Sequence, residues 1–264
     1  MKIKVVLLLI LVSSMATAQN VIMNTNARNE ALAGLTAVVQ DEGAMWRNPA
    51  GLAFIEGARV EVGVRHTPVI NLLSKSALLA IHTKAGAYAA GALAFGDDLY
   101  NEQAVSLASA HRIGITSLGV RADVFQLRTD SQLKRTFGIT VGCITSIGTR
   151  LSIGVVARNV NLPQWTKGQP LPVVLNAGLL FLPTESFQLI AEVEKNTDFD
   201  PTLKGAFEYS LKRKFFARTG FSLFPNAASG GFGFRLWRLA FDYGLRWGYQ
   251  PGYSQQFSVA IKFK

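Results

Sequence analysis

From Ala58 to the C-terminus, apolar and polar positions alternate with a period of two in run after run. In Leu151–Arg158 the residues Leu151, Ile153, Val155 and Ala157 are apolar. Between them lie Ser152, Gly154 and Arg158, with Val156 as the exception. In Phe187–Glu194 one set is Phe187, Leu189, Ala191 and Val193, and Glu192 and Glu194 fall in the other. Leu239–Arg246 repeats the scheme, with Asp242 and Arg246 opposite Phe241 and Leu245. A period of two is the signature of a strand whose two faces meet different surroundings. The runs are about 9 to 13 residues long, enough to cross a membrane at a tilt.

The breaks between runs carry as much information. One set is short and mostly basic: Thr83-Lys84, His111–Ile113, Gly148–Arg150, Leu182–Glu185, Lys212–Lys214 and Trp237-Arg238. The other is longer and more polar: Thr67–Leu73, Gly96–Glu102, Arg128–Arg135, Asn161–Pro170, Asn196–Pro201, Phe224–Ser229 and Gly248–Ser254. The two sets alternate strictly. Short turns on one rim and longer loops on the other are the pattern of an outer-membrane barrel, periplasmic and extracellular respectively. A soluble sandwich has no reason to keep it. The expectation is an all-β transmembrane antiparallel barrel of about fourteen strands over residues 58–264. The last run, with Phe257, Val259, Ile261 and Phe263 on one face, resembles the C-terminal signal read by the barrel-assembly machinery, although Lys264 stands last.

Two earlier stretches differ in kind. Lys2 and Lys4 precede the apolar run Val5–Val12, followed by Ala16-Thr17-Ala18. A basic head, a short apolar core and a small-residue site make residues 1–18 a signal peptide cleaved before Gln19. Residues 19–57 are expected to form a short helical plug or hatch. Asn29–Val39 is helix-prone and interrupted by Gly34, and Glu42–Trp46 suits one further turn. In Asn48-Pro49-Ala50-Gly51 the Asn suits a helix N-cap and the Pro the first helical position. The segment carries Asp41, Glu42, Arg47 and Glu56, is too short for a core of its own, and has the barrel lumen to fold against.

Composition agrees. Apolar residues make 49% of 264 and charged residues only 17%, against roughly 25% charged in an average soluble domain. The net charge of +10 falls by two when Lys2 and Lys4 leave with the leader. An exported barrel meets no nucleic acid, so the excess is read from where the charges sit. The lumen face carries Arg121, Asp123, Arg158, Glu192, Glu194, Lys204, Glu208, Arg218, Arg235, Asp242 and Arg246, nearly balanced in sign. Confined charges must pair, so a salt-bridged lumen fits better than a lining selective for one sign. No run of apolar lumen positions long enough to line a path is evident. His66, His82 and His111 have no ligand spacing, and Cys143 is alone. No catalytic, metal or cofactor site is therefore expected. Gly230-Gly231-Phe232-Gly233 reads as a Gly-rich strand able to kink the wall.

The segment Asn26–Val39 together with Trp46-Arg47-Asn48-Pro49-Ala50-Gly51-Leu52-Ala53 resembles the start of the FadL-like barrel superfamily, most closely its PorV/PorQ branch. Leu99–Glu102, Ala191–Lys195 and Phe207–Tyr209 are similar to compact members of that branch. The resemblance implies fourteen strands, an N-terminal hatch and a role as accessory subunit of a large envelope machine of the type IX secretion kind. Its partners would be outer-membrane lipid and other outer-membrane or periplasmic subunits. The alternative is a FadL-like channel passing hydrophobic small molecules through the wall.

Overall fold

The computed structural model describes residues 26–248 and 252–263. The expected signal peptide and the first residues of the expected hatch lie outside them. The strands are β1 (Ala58–Thr67), β2 (Leu72–Thr83), β3 (Gly86–Gly96), β4 (Tyr100–Ile113) and β5 (Thr116–Thr129). β6 (Leu133–Ile147), β7 (Leu151–Arg158), β8 (Val174–Thr184), β9 (Phe187–Asn196) and β10 (Thr202–Leu211) follow. β11 (Phe215–Leu223), β12 (Ala227–Leu236), β13 (Leu239–Gly248) and β14 (Tyr253–Phe263) complete the set. Each strand pairs antiparallel with its neighbours in sequence, and β14 pairs back onto β1 from Phe263↔Ala58 to Gln255↔His66. The sheet closes into a fourteen-stranded barrel with no free edge.

The period-two pattern becomes the two surfaces of this wall. Val62, Leu107, Leu189, Val193, Phe207, Phe241 and Leu245 are exposed on the outside. Glu61, Ser106, Glu192, Glu208 and Asp242 are buried within. A continuous apolar belt on this scale has no counterpart on a water-soluble monomer; in hydrocarbon it is the wetted surface of a barrel whose backbone groups are all paired.

Four expectations need correction. The helix over Asn29–Val39 is a single turn, α1 (Ala27–Ala31). It stops because Ala33 and Gly34 turn into the left-handed region, with φ of 55° and 66°. Most of the longer breaks shrink: β5 and β6 run to Thr129 and from Leu133, because hairpins keep pairing beyond the apolar belt. Among the described residues only the β7–β8 connection, residues 159–173, is long. At the short-turn rim the β4–β5 turn falls at Gly114-Ile115 rather than His111–Ile113, since the pairing continues to Ile113↔Thr116. Finally, β12 does not kink at Gly230–Gly233; its register with β11 and β13 is unbroken. Among the described residues the one irregularity in the ladders lies between Phe181 and Thr184 in β8–β9.

Candidate functional site: the barrel interior

The interior is occupied by the segment that precedes β1. Asn26 caps α1, its side chain accepting from the Asn29 amide at 3.2 Å. A 3-10 helix over Glu42–Trp46 is capped by Asp41, and a second over Pro49–Phe54 by Asn48, which accepts from Ala50 N at 3.1 Å. Asn48 is fully buried. Its Nδ2 donates to Ala37 O at 2.6 Å, Cys143 O at 3.2 Å and Val155 O at 3.3 Å. One side chain therefore joins the segment to β6 and β7. Ser117 of β5 donates to Ala50 O at 2.6 Å, and Pro49 opens the 3-10 turn as its fixed φ favours. At Gly51 a Cβ would lie 1.8 Å from Val39 O, so only glycine allows the two stretches of the segment to touch.

The wall is shaped to this segment. A Cβ at Gly119, Gly142 or Gly154 would stand 2.2 Å from Ala50 N, 1.9 Å from Asn48 Oδ1 and 2.0 Å from Ala37 O. Across the barrel, Cβ atoms at Gly231 and Gly244 would stand 2.6 Å from Ala31 Cβ and 2.3 Å from Ala27 O. Inward glycines on β5, β6 and β7 thus receive the Asn48–Ala50 turn and Ala37, and those on β12 and β13 receive α1. This is the role of the Gly-rich stretch in β12: close approach, with no bend.

The lumen charges meet in three groups. Arg121 and Asp123, both wholly buried, pair at 2.8 Å, and Arg121 Nη1 also donates to Met45 O at 2.8 Å. Lys204 reaches Glu194 at 2.9 Å and Glu192 at 3.7 Å, with Arg158 3.8 Å from Glu194. Glu192 accepts from the Thr36 and Ala37 amides at 2.7 and 2.6 Å, while Lys204 donates to Gly34 O at 3.3 Å. Arg218 pairs with Glu208 and, at 2.6 Å, with Asp242, which also meets Arg235 at 2.9 Å. Arg246 stands apart from these carboxylates and donates to Ser222 Oγ at 3.4 Å.

Several members were missed in the sequence. Arg28 bridges Glu208 at 2.9 Å and Asp41 at 2.8 Å. Glu30 faces Arg65 at 3.5 Å and accepts from Ser254, and Asn26 donates to Glu61. Ala27 N lies 3.4 Å from Ser258 Oγ. Glu61 and Arg65 were legible, since Val60, Val62 and Val64 alternate with them along β1. Of the segment's own charges, Glu56 is exposed at the rim and pairs with Lys262 at 2.8 Å. Burial, with Asp41 beside it, pushes Glu42 above the usual carboxylate range, and Arg59 at 3.5 Å partly offsets this.

No run of apolar lumen positions long enough to line a path is evident in the sequence; the structure shows an apolar inner sector packed against the segment. The inner faces of β2 to β5 present Leu78, Ala80, Ala87, Ala89, Leu93, Ala104, Ala108 and Phe125, packed against Met45, Trp46 and Leu52. Over this cluster the β7–β8 connection brings Leu171 and Trp165, whose ring meets Phe125 edge-on with centroids 6.5 Å apart. Ala89 and Ala108 also line a groove of about 450 Å³ on the outer wall, flanked by Leu79, Ile81, Tyr88 and Leu107. A second cavity of about 290 Å³ opens toward the short-turn rim. Leu35, Val38, Leu180 and Ile190 line one side of it and Asn29, Gln40 and Arg218 the other. Among the described residues the Asn29 side-chain amide and Gln40 Nε2 have no hydrogen-bond partner.

No family model matches the chain, and no curated protein matches its sequence. Solved structures do match in fold. A TodX monoaromatic hydrocarbon channel, the deltaS2 mutant, superposes with a TM-score of 0.71 at 10% identity, over 90% of this chain and 99% of that one. A Pseudomonas aeruginosa FadL homologue gives 0.64 at 10% identity, over 91% and 98%. The fold is that of the FadL-type barrels. Such identity speaks for architecture alone, and it does so across nearly the whole of both chains.

Proposed function

We propose that this protein is an outer-membrane barrel of the FadL-like kind. Its N-terminal segment closes the lumen as a plug, and apolar small molecules cross beside that plug rather than through an aqueous pore. The observation that carries this reading is the end-to-end likeness to a hydrocarbon channel, joined to an apolar inner sector absent from a purely salt-bridged barrel. The route would run under Trp165, along Phe125 and the alanines of β3 and β4, and out toward the groove that shares Ala89 and Ala108 with the interior. Movement of the 159–173 connection and of Trp46 would open it, because the β2–β5 ladders are continuous.

The test combines two measurements on purified protein. In a planar bilayer the intact barrel should show negligible ion conductance, and deletion of residues 20–50 should open it. In vesicles the intact barrel should speed toluene entry, and Ala108→Trp, which fills the wall, should abolish that gain. Stable conductance from the intact barrel would overturn the plug, and no toluene flux would overturn the channel.

A second reading keeps the plug and drops the transport: an accessory subunit of a type IX secretion-like machine, as the PorV/PorQ resemblance implies. The glycine imprint favours it, since a segment so closely fitted has little freedom to move. Absence of flux together with co-purification of envelope proteins would move the weight there.

A further inference from the structure

The two rims of the barrel differ in charge. Around the long-connection rim, exposed bases such as Arg128 and Lys195 are matched by exposed acids such as Asp97, Asp130 and Asp198. Around the short-turn rim they are not. Exposed bases stand at the β2–β3 turn (Lys84), the β4–β5 turn (Arg112), the β6–β7 turn (Arg150) and the β12–β13 turn (Arg238). The whole β10–β11 turn, Lys212–Lys214, is basic and exposed. Among the described residues the exposed acids of this rim are Glu185, paired with Arg213 at 2.9 Å, and Glu56, paired with Lys262. Lys84, Arg150, Lys212 and Lys214 have no ion-pair partner among the described residues.

The bases sit directly at the edge of the apolar wall. Ile113, Ile115, Ile147, Phe215 and Leu236 are exposed beside them, and Arg238 lies over the Trp237 ring at 4.8 Å. An aromatic and aliphatic fringe with cations just beyond it matches the boundary between acyl chains and headgroups.

We propose that the short-turn rim is an encircling binding surface for anionic phospholipid headgroups of the leaflet it meets. The proposal rests on the membrane-spanning reading above. Distribution decides between a lipid and a protein partner. A protein docks on one sector, whereas these bases recur on five of the six short turns and so face a surface present on every side. Lys and Arg near a membrane are drawn to anionic lipid, and salt screens the attraction.

The test reconstitutes the full mature barrel in nanodiscs of equal phosphatidylglycerol and phosphatidylcholine, extracts it in mild detergent, and quantifies the lipid retained. Insertion into pure phosphatidylcholine is measured alongside; failure there would sink the membrane reading rather than the rim proposal. The expected result is retention of phosphatidylglycerol severalfold over phosphatidylcholine, lost near 1 M salt, where the screening length is about 3 Å. The spread variant K84Q/R150Q/R238Q and the clustered variant K212Q/R213Q/K214Q should each lower it to a similar degree. Equal retention of the two lipids by the wild-type barrel would overturn the proposal, and the salt series reads this without any variant having to fold. Loss in the clustered variant alone would also overturn it, pointing to an acidic protein on one sector.

Discussion

The two halves of the interior hold the same segment by different physics. Against β2 to β5 the contact is mainly apolar: Trp46, Met45 and Leu52 fit among alanines, leucines and Phe125, with Ser117 and Arg121 of β5 each donating to one segment carbonyl. Against β8 to β13 charged groups join in, with Glu192 accepting two segment amides, Lys204 meeting a carbonyl and Arg28 reaching Glu208, beside a smaller apolar cluster of Leu32, Leu35 and Val38 on Leu180 and Ile190. If the segment withdrew, water could replace its bonds to Glu192, Lys204 and Glu208, while the larger apolar sector on β2 to β5 would expose hydrocarbon. The apolar sector is therefore where an apolar solute can take the segment's place without competing with water.

The comparison can be broken in order of expected effect. Glu192→Ala strips two segment amides and leaves Lys204 with one carboxylate fewer, which should cost about 3–5 kcal/mol as a broken buried ion pair does. Denaturant unfolding in detergent, with protease cutting in residues 34–40 as a local readout, measures it. A cost below about 1 kcal/mol would mean the polar half is already wet. Trp46→Ala should cost a similar 3–5 kcal/mol by leaving a cavity. It should differ in kind, since the dry cavity should bind toluene and recover part of the lost stability. Toluene stabilising Glu192→Ala equally would erase the distinction between the halves. The smallest change is Ser229→Ala. It removes the hydroxyl that donates to Ala31 O and accepts from Ala33 N, both at 2.9 Å. The expected loss is about 1–3 kcal/mol, the range for leaving a buried donor without its partner.

Much of the wall could be read from the chain. Glu192 and Asp242 face inward and Leu189 and Phe241 outward, because a strand of period two between water-poor and lipid surroundings leaves a pattern in which one slipped residue would reverse every face. The segment was less legible. Ala/Leu content favours helix at Asn29–Val39, but inside a tube the chain must fold back on itself, and the left-handed pair Ala33-Gly34 does this. Its small residues serve contact with glycines on distant strands, which a local propensity cannot register. The apolar sector was hidden for a different reason. β3 reads Gly-Ala-Tyr-Ala-Ala-Gly-Ala-Leu-Ala-Phe-Gly, and alanine on both faces erases the alternation that would have marked the inner one. Loop lengths were overestimated because hairpin residues beyond the belt are polar whether paired or not.

The start of the segment touches both strands of the seam. Asn26 donates to Glu61 on β1, Glu30 meets Arg65 on β1 and Ser254 on β14, and Ala27 approaches Ser258 on β14. That seam joins the two ends of the chain, so it is the pairing with the greatest sequence separation and the largest loop-closure cost during folding. Residues 26–30, ahead of the first strand, thus bridge the first and last strands of the ring. The ring's closure is therefore shared with a segment outside the ring, and a chain lacking residues 19–57 is expected to close late or leave its last strand open to a neighbour, as a folding time course in detergent would read.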